Sequence, residues 1–487
     1  MKYIPFLALF FLSCADWLDV SPREQIKEDE NFNAPQGFKD ALTGVYLLMT
    51  EQEAYGRELS FGLVDVLGRQ YTAGFATASE YYYPSIYDYS ADESKRKFAG
   101  VWSRMYTILA NVNNLIARVN EADSNAFDLD EFRVIRGEAY AARALLHFDL
   151  LRLFGPSFLA GPDEKAIPYV TRFDNAITPL SSAREVIDKA LADLAVAEKS
   201  LANDPVVRGV SSSDYTDFLR NRHYHLNFYA VKLLQARVLL YKGEREAALA
   251  AARTVIDQTL FTWVPEAQVV TTSMETRNLV FSQELIFAIN VNNIPDIAFG
   301  TTGTRSWFTM GYGGFTRSIY DWNSVYENDR FPGDYRYQYL MGPLIDNYYV
   351  ASYKLYQPAS VYGQDFINKI PIMRLPEAYY IAAECALARG DKSAAVNYLN
   401  VVREHRNIPP LDDSILESAL QEEIRKEYAK EFVCEGQLFF YYKRLDSETI
   451  AFYPSWPTPP APRAIYRLPL PDDEIDYGQR YLETANN

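Results

Sequence analysis

The sequence predicts a mainly α protein in which helical hairpins stack into a scaffold and carry one large loop-rich insertion with minor β elements. Three observations predict it: apolar residues recur at helical spacing over most of the chain, one helix–turn–helix pattern occurs twice, and the composition changes abruptly between residues 259 and 370.

The chain opens with Met1 and Lys2, an apolar run over residues 3–12, then Ser13 and Cys14. That is a secretory signal, and the run is too short for the roughly twenty residues that span a bilayer. A small residue followed by Cys at the cleavage point predicts lipidation of Cys14, with residues 1–13 removed and 14–22 left as a tether. Phe11 and Leu12 are bulkier than the Leu-then-small pair such peptidases prefer, so an ordinary signal containing a cysteine is the alternative. Cys385 and Cys434 lie in apolar helical contexts as buried thiols, and the spacing offers neither a disulfide framework nor a CxxC metal site.

Helices follow at 38–49, 98–119 and 131–154, the last ended by Gly155 and Pro156. Between the first two lies an irregular tract, 71–89, rich in tyrosine. Further helices are predicted at 182–201, with Ser182 as N-cap, and at 226–241. The segment around Gly243 then superimposes on the one around Gly390: Ala236, Leu240, Ala247, Ala248 and Val255 fall on Ala383, Leu387, Ala394, Ala395 and Val402. Each copy is a helix, a turn at Gly and a second helix with small alanines, the tetratricopeptide (TPR) arrangement, whose hairpins stack into a right-handed superhelix. A generic helical hairpin is the alternative. The predicted pairs are 131–201, 226–258 and 374–406, within a single body spanning 23–487. The insertion at 259–370 is rich in Gly, Tyr, Trp, Asn and Pro, with strands expected at 284–292 and 348–356.

A net charge of −16 excludes phosphate-backbone binding and hence nucleic acid as a partner. No GxSxG elbow, P-loop, HExxH helix or GxGxxG turn occurs, so the sequence predicts no enzyme, although carboxylate pairs for glycoside hydrolysis are set in space and escape such a search. His223 and His225 flank Tyr224 but have no Cys nearby, and read as surface or capping residues rather than metal ligands. Asp472, Asp473 and Glu474 read as a helix N-terminus, with calcium as the alternative. No metal or cofactor is predicted.

Several motifs occur in a fixed order: Asp16-Trp17-Leu18-Asp19-Val20-Ser21-Pro22 after Cys14; Arg136-Gly137-Glu138-Ala139 with Arg143-Ala144, Phe148 and Leu153-Phe154-Gly155; Ile286-Phe287-Ala288-Ile289; Arg374-Leu375-Pro376-Glu377-Ala378; and Glu423, Arg425, Glu431, Gly436 and Arg444 followed by Leu468-Pro469-Leu470-Pro471. The pattern resembles the SusD/RagB family of outer-membrane nutrient-binding lipoproteins from Bacteroidota over essentially the full chain. The resemblance implies a cell-surface lipoprotein that sits as a lid on a SusC-like TonB-dependent transporter, binds glycans or peptides, and releases them to the barrel without chemistry. It also implies a ligand surface built from an N-terminal loop and the insertion.

Aromatic rings suit such a surface, because the C–H face of a pyranose packs on a ring while Asn, Asp or Arg satisfies the hydroxyls. With 37 Tyr in the chain, location decides. The two tracts offering both kinds of group are 71–89, with Asp65 and Arg69 upstream, and 299–326. The ligand contacts expected from them are Tyr81, Tyr82, Tyr83, Trp307 and Trp322, with Arg305 as a polar contact. Rings in such tracts also pin a loop to its scaffold, and peptide capture or a purely structural lid are the competing functions.

Overall fold

Twelve main helices, with shorter helical turns between them, form the framework of the described chain. The structure is a computed structural model and describes residues 31–71, 79–209, 216–292, 294–298, 315–343, 349–356, 367–450 and 462–480. The predicted signal, Cys14 and the tether lie outside the described residues.

Five helices build the first half: α1 Pro35–Met49, α2 Asp92–Glu121, α3 Leu129–Phe154, α4 Ala183–Ser200 and α5 Phe228–Lys242. The remainder are α6 Arg245–Ile256, α7 Ile319–Tyr326, α8 Leu375–Ala388, α9 Lys392–Glu404, α10 Glu417–Glu431, α11 Leu438–Arg444 and α12 Asp472–Tyr477. Neighbours in sequence pack as neighbours in space, α1 on α2, α2 on α3, α3 on α4, α4 on α5, α5 on α6 and α8 on α9, and α6 packs on α8 across the insertion. One hydrophobic cluster runs through all of them, from Phe38 to Leu468.

Local chemistry explains the boundaries. Ser182 starts α4 with a capping box: its hydroxyl accepts from the Glu185 amide at 3.2 Å, and the Glu185 carboxylate accepts from the Ser182 amide at 2.6 Å. The two hairpin turns are the same structure twice. Gly243 has φ +88° and Gly390 φ +85°, the left-handed region that ends a helix cheaply only with glycine. The Glu244 amide returns to the Leu239 carbonyl and the Asp391 amide to the Ala386 carbonyl, both at 2.9 Å, closing both turns identically. Arg237 joins the two hairpins through Glu377, with both contacts at 2.6 Å.

The insertion is more regular than its composition predicts. Besides α7 it holds a short helix, Tyr335–Leu340, and strands β4 Arg317–Ser318, β5 Met341–Pro343 and β6 Tyr349–Ser352, arranged β4-β6-β5. Earlier in the chain β1 Lys165–Pro168 pairs with β2 Leu180–Ser182. The expected strand at 284–292 is β3 Leu285–Asn290, whose antiparallel partner is β7 Lys369–Arg374. Only Arg374 of β7 belonged to the predicted hairpin. Pro371 masks the strand in sequence, yet it is tolerated because a two-stranded ladder is edge on both sides.

A buried ion network ties this insertion to the scaffold. Arg374, fully buried at the end of β7, meets Glu431 and Glu435, each at 2.7 Å. Arg406 meets Glu284 at 2.6 Å and Glu431 at 2.9 Å, and Arg336 reaches Glu427 at 2.8 Å and Glu431 at 3.0 Å. Burial opposes the charge on Glu431, but Arg406, Arg374 and Arg336 hold its carboxyl well below the ordinary range.

Candidate functional site

The two aromatic tracts meet. Phe315, the first residue described after 299–314, stacks on Tyr71 at 5.0 Å with planes 29° apart, and meets Tyr81 at 5.1 Å and Phe61 at 6.1 Å. All four rings are buried. Tyr71 and Tyr81 from the first predicted ligand tract and Phe315 from the second are therefore packed together.

Beneath the rings lies a set of held charges. The Tyr71 hydroxyl donates to Asp65 at 2.9 Å, and the Cys434 and Gly436 amides donate to the same carboxylate at 2.8 and 2.9 Å. Burial pushes Asp65 up to about 8 against these three bonds. The Tyr81 hydroxyl donates to both Glu58 oxygens at 2.9 Å, while the Lys97 ammonium sits 3.8 Å above the Tyr81 ring and bonds Glu58 at 3.1 Å and Glu80 at 2.6 Å. Arg317, whose guanidinium lies 5.5 Å from the Trp322 ring, is lowered to about 10, chiefly by burial.

Two expected contacts are thereby corrected. Tyr81 is fully buried, with its ring between Phe315 and Lys97, so it supports the tract instead of facing a ligand. Trp322 is also fully buried: its indole N–H donates to the Val350 carbonyl at 3.1 Å, anchoring α7 to β6. A residue two positions away on a helix points some 200° away, so the outward ring of α7 is Tyr320, 71% exposed. Sequence reasoning missed Tyr320 because the segment was taken as loop, where helical facing does not apply. Tyr82 and Tyr83 are half-buried, edge to face at 5.1 Å, and remain at the surface beside Tyr81. Trp307 and Arg305 lie outside the described residues.

The charged motif of α3 is structural. Glu138, fully buried, binds Arg222, accepts from the Tyr46 hydroxyl at 2.5 Å and lies 3.2 Å from His225 Nδ1. Burial works against its charge, yet Arg222 and His225 hold it at about 2. Arg143 grips Asp193 through two contacts of 2.7 Å. Among the described residues no cluster of three or more His, Cys, Asp or Glu is placed to hold a metal ion. His223 tilts against Tyr224, Asp472 to Glu474 form the first turn of α12, and Cys385 and Cys434 are buried.

Comparison with known proteins bears on the whole chain. The SusD family model matches residues 320–477, and a second model, described as starch-binding associating with outer membrane, matches residues 16–213. A SusD-like protein of Formosa agariphila is 23% identical, over 89% of each chain. Among solved structures, a SusD superfamily protein from Bacteroides thetaiotaomicron aligns with a TM-score of 0.70 at 22% identity, covering 92% of this chain and 98% of its own. A putative sugar binding protein from Bacteroides vulgatus aligns with a TM-score of 0.63 at 24% identity, covering 84% and 87%. Matched by family models in both halves and by SusD-like relatives along its length, the chain belongs to the SusD/RagB family.

Proposed function

We propose that this protein captures glycans at the outer face of the outer membrane, tethered by a lipid on Cys14, and passes them to a SusC-like TonB-dependent transporter that it covers as a lid. The observation that carries the glycan reading is the convergence at Phe315, which brings the bases of the two aromatic tracts together and leaves Tyr82, Tyr83 and Tyr320 at the surface. Flat rings with the paired Lys97, Glu58 and Glu80 beside Tyr81 suit a neutral polyhydroxylated ligand. The starch-binding description of one matched family and the sugar-binding description of a structural neighbour favour the same class. Nothing in this arrangement requires bond cleavage.

The test is retention in polysaccharide gels. Tyr82→Ala with Tyr83→Ala, and separately Trp307→Ala, should lower retention about tenfold or more with the melting temperature unchanged, a tenfold loss being about 1.4 kcal/mol. New reducing ends on incubation would replace capture by hydrolysis, and heat released only with peptides would replace the ligand class. Loss of the transporter from a membrane pull-down of the tagged full-length protein would remove the lid role, and membrane retention of Cys14→Ala would remove the lipid.

A further inference from the structure

A cleft of about 1030 Å³ lies along the flank of α2. Its floor is fixed. Trp102 leans on Phe154 at 4.8 Å and on Tyr106 at 4.7 Å, and the Tyr106 hydroxyl donates to the Pro168 carbonyl at 2.9 Å. Its walls carry large rings in water: Phe173, 53% exposed, on the loop between β1 and β2, and Tyr477, 79% exposed, on α12. Both rings line the same concave surface, the setting in which a small ligand is held against apolar faces.

The polar lining narrows the ligand. Arg172 pairs with Asp174 at 3.1 Å and Arg480 with Glu474 at 2.5 Å, so the cations are already matched, and Asp473 leaves the lining slightly negative. An anionic ligand would meet no spare cation there. A purely apolar one would bury these ion pairs without replacing their water. Rings flanked by paired Arg and Asp, with the exposed Asn175 and Ser103, suit a neutral ligand with many hydroxyls.

The cleft also stands in a defined relation to the first site. Lys97, under Tyr81, and Tyr106, on this floor, belong to the same helix, 106 − 97 = 9 residues apart. That is roughly 14 Å of rise and half a turn, so the two sites occupy opposite sides of α2. We infer that the Phe173–Tyr477 cleft is a second glycan site, which takes another stretch of the polysaccharide captured at the tyrosine tracts. Its ligand class rests on the function proposed above. Two sites on one rigid helix raise the retention of long chains far more than that of short ones, since the second engagement is intramolecular.

The experiment combines titration calorimetry using short oligosaccharides with gel retention on the parent polysaccharide. Wild type should bind two oligosaccharides per chain, and Phe173→Ala/Tyr477→Ala one, with polysaccharide retention reduced at least tenfold and an unchanged melting temperature, because both rings are largely exposed. Tyr82→Ala/Tyr83→Ala should leave the other single site. A wild type that binds one oligosaccharide, lost in Tyr82→Ala/Tyr83→Ala and kept in Phe173→Ala/Tyr477→Ala, overturns the second site and leaves the first standing. A wild type silent to every glycan overturns both.

Discussion

Tyr71 and Phe315 stack at 5.0 Å, so residues far apart in the chain form one aromatic floor shared by the two candidate ligand tracts. Removing Phe315 should act twice. Phe315→Ala deletes a buried ring, a change that costs about 3–5 kcal/mol, and it also frees the bases of the two tracts from each other. Denaturant midpoint and glycan retention should therefore fall together, in contrast to Tyr82→Ala, which should lower retention alone. Full retention by a destabilised Phe315→Ala protein would separate the floor from the ligand surface.

On α7 the two aromatic neighbours should behave oppositely. Trp322→Ala empties an interior site and strands the Val350 carbonyl, so it should destabilise by about 3–5 kcal/mol. Tyr320→Ala removes an exposed ring and should stay within about 0.5 kcal/mol of wild type. Urea unfolding of the pair measures both. A Tyr320→Ala protein as unstable as Trp322→Ala would mean that the inward face of α7 is not the one described.

These residues also mark how far the sequence was legible. The scaffold could be read because helical periodicity, Gly243, Gly390 and the Ser182 cap are local signals, each tied to a backbone requirement that neighbouring residues express. The meeting of Tyr71 with Phe315 is long-range and leaves no periodic trace. Within the tracts, the ring type was readable but its direction was not: Tyr81 turns inward because Glu58 and Lys97, from other elements, satisfy its hydroxyl and its face. Trp322 turns inward because it lies on the packed face of α7, a helix of two turns whose period is hard to see after a Gly-rich stretch.

The hairpin glycines give a test of the repeat itself. A Cβ added at Gly243 or Gly390 would meet no atom within 4 Å, so the only cost of alanine is the left-handed backbone. Each substitution should cost about 1 kcal/mol. The two turns meet through the exposed Arg389–Glu246 pair at 3.9 Å, a weak coupling at that separation, so the double variant should lose about 2 kcal/mol, close to the sum. Thermal unfolding of the two singles and the double checks this. A negligible loss at either glycine would mean that turn relaxes out of the left-handed region.

His147 should make stability depend on pH above the range where carboxylates act. Its partners assign the tautomer: Nδ1–H donates to the Arg143 carbonyl and Nε2 accepts from the Val170 amide, both at 2.9 Å, with the ring stacked on Tyr169 at 3.8 Å. Protonating Nε2 would set two donors against each other. Burial first, then the nearby Arg143 and Lys189, lower the imidazole to about 3, although the bond to the Arg143 carbonyl works the other way. Unfolded, the same group titrates near 6.5, so below that pH the unfolded chain takes up a proton that the folded one refuses. The contribution is complete above pH 6.5 and is lost as pH falls toward 3. Between pH 6.5 and 5 the loss amounts to about 1.5–2 kcal/mol. Glu138 and Glu427, both held at about 2 against burial by neighbouring cations, weaken the fold only below about pH 4.5, where the unfolded carboxyls begin to bind protons. His405, lowered mainly by burial, adds in the same direction as His147. The His147→Gln variant isolates the effect, since its amide can still donate to Arg143 and accept from Val170 but does not titrate. Asp65, raised to about 8 by burial, keeps a proton that the unfolded chain releases and so opposes this trend equally in both proteins. The stability of wild type relative to His147→Gln, read from denaturant midpoints, should therefore fall as pH is lowered from 6.5 to 5, and parallel lines would show that His147 is not the residue that refuses the proton.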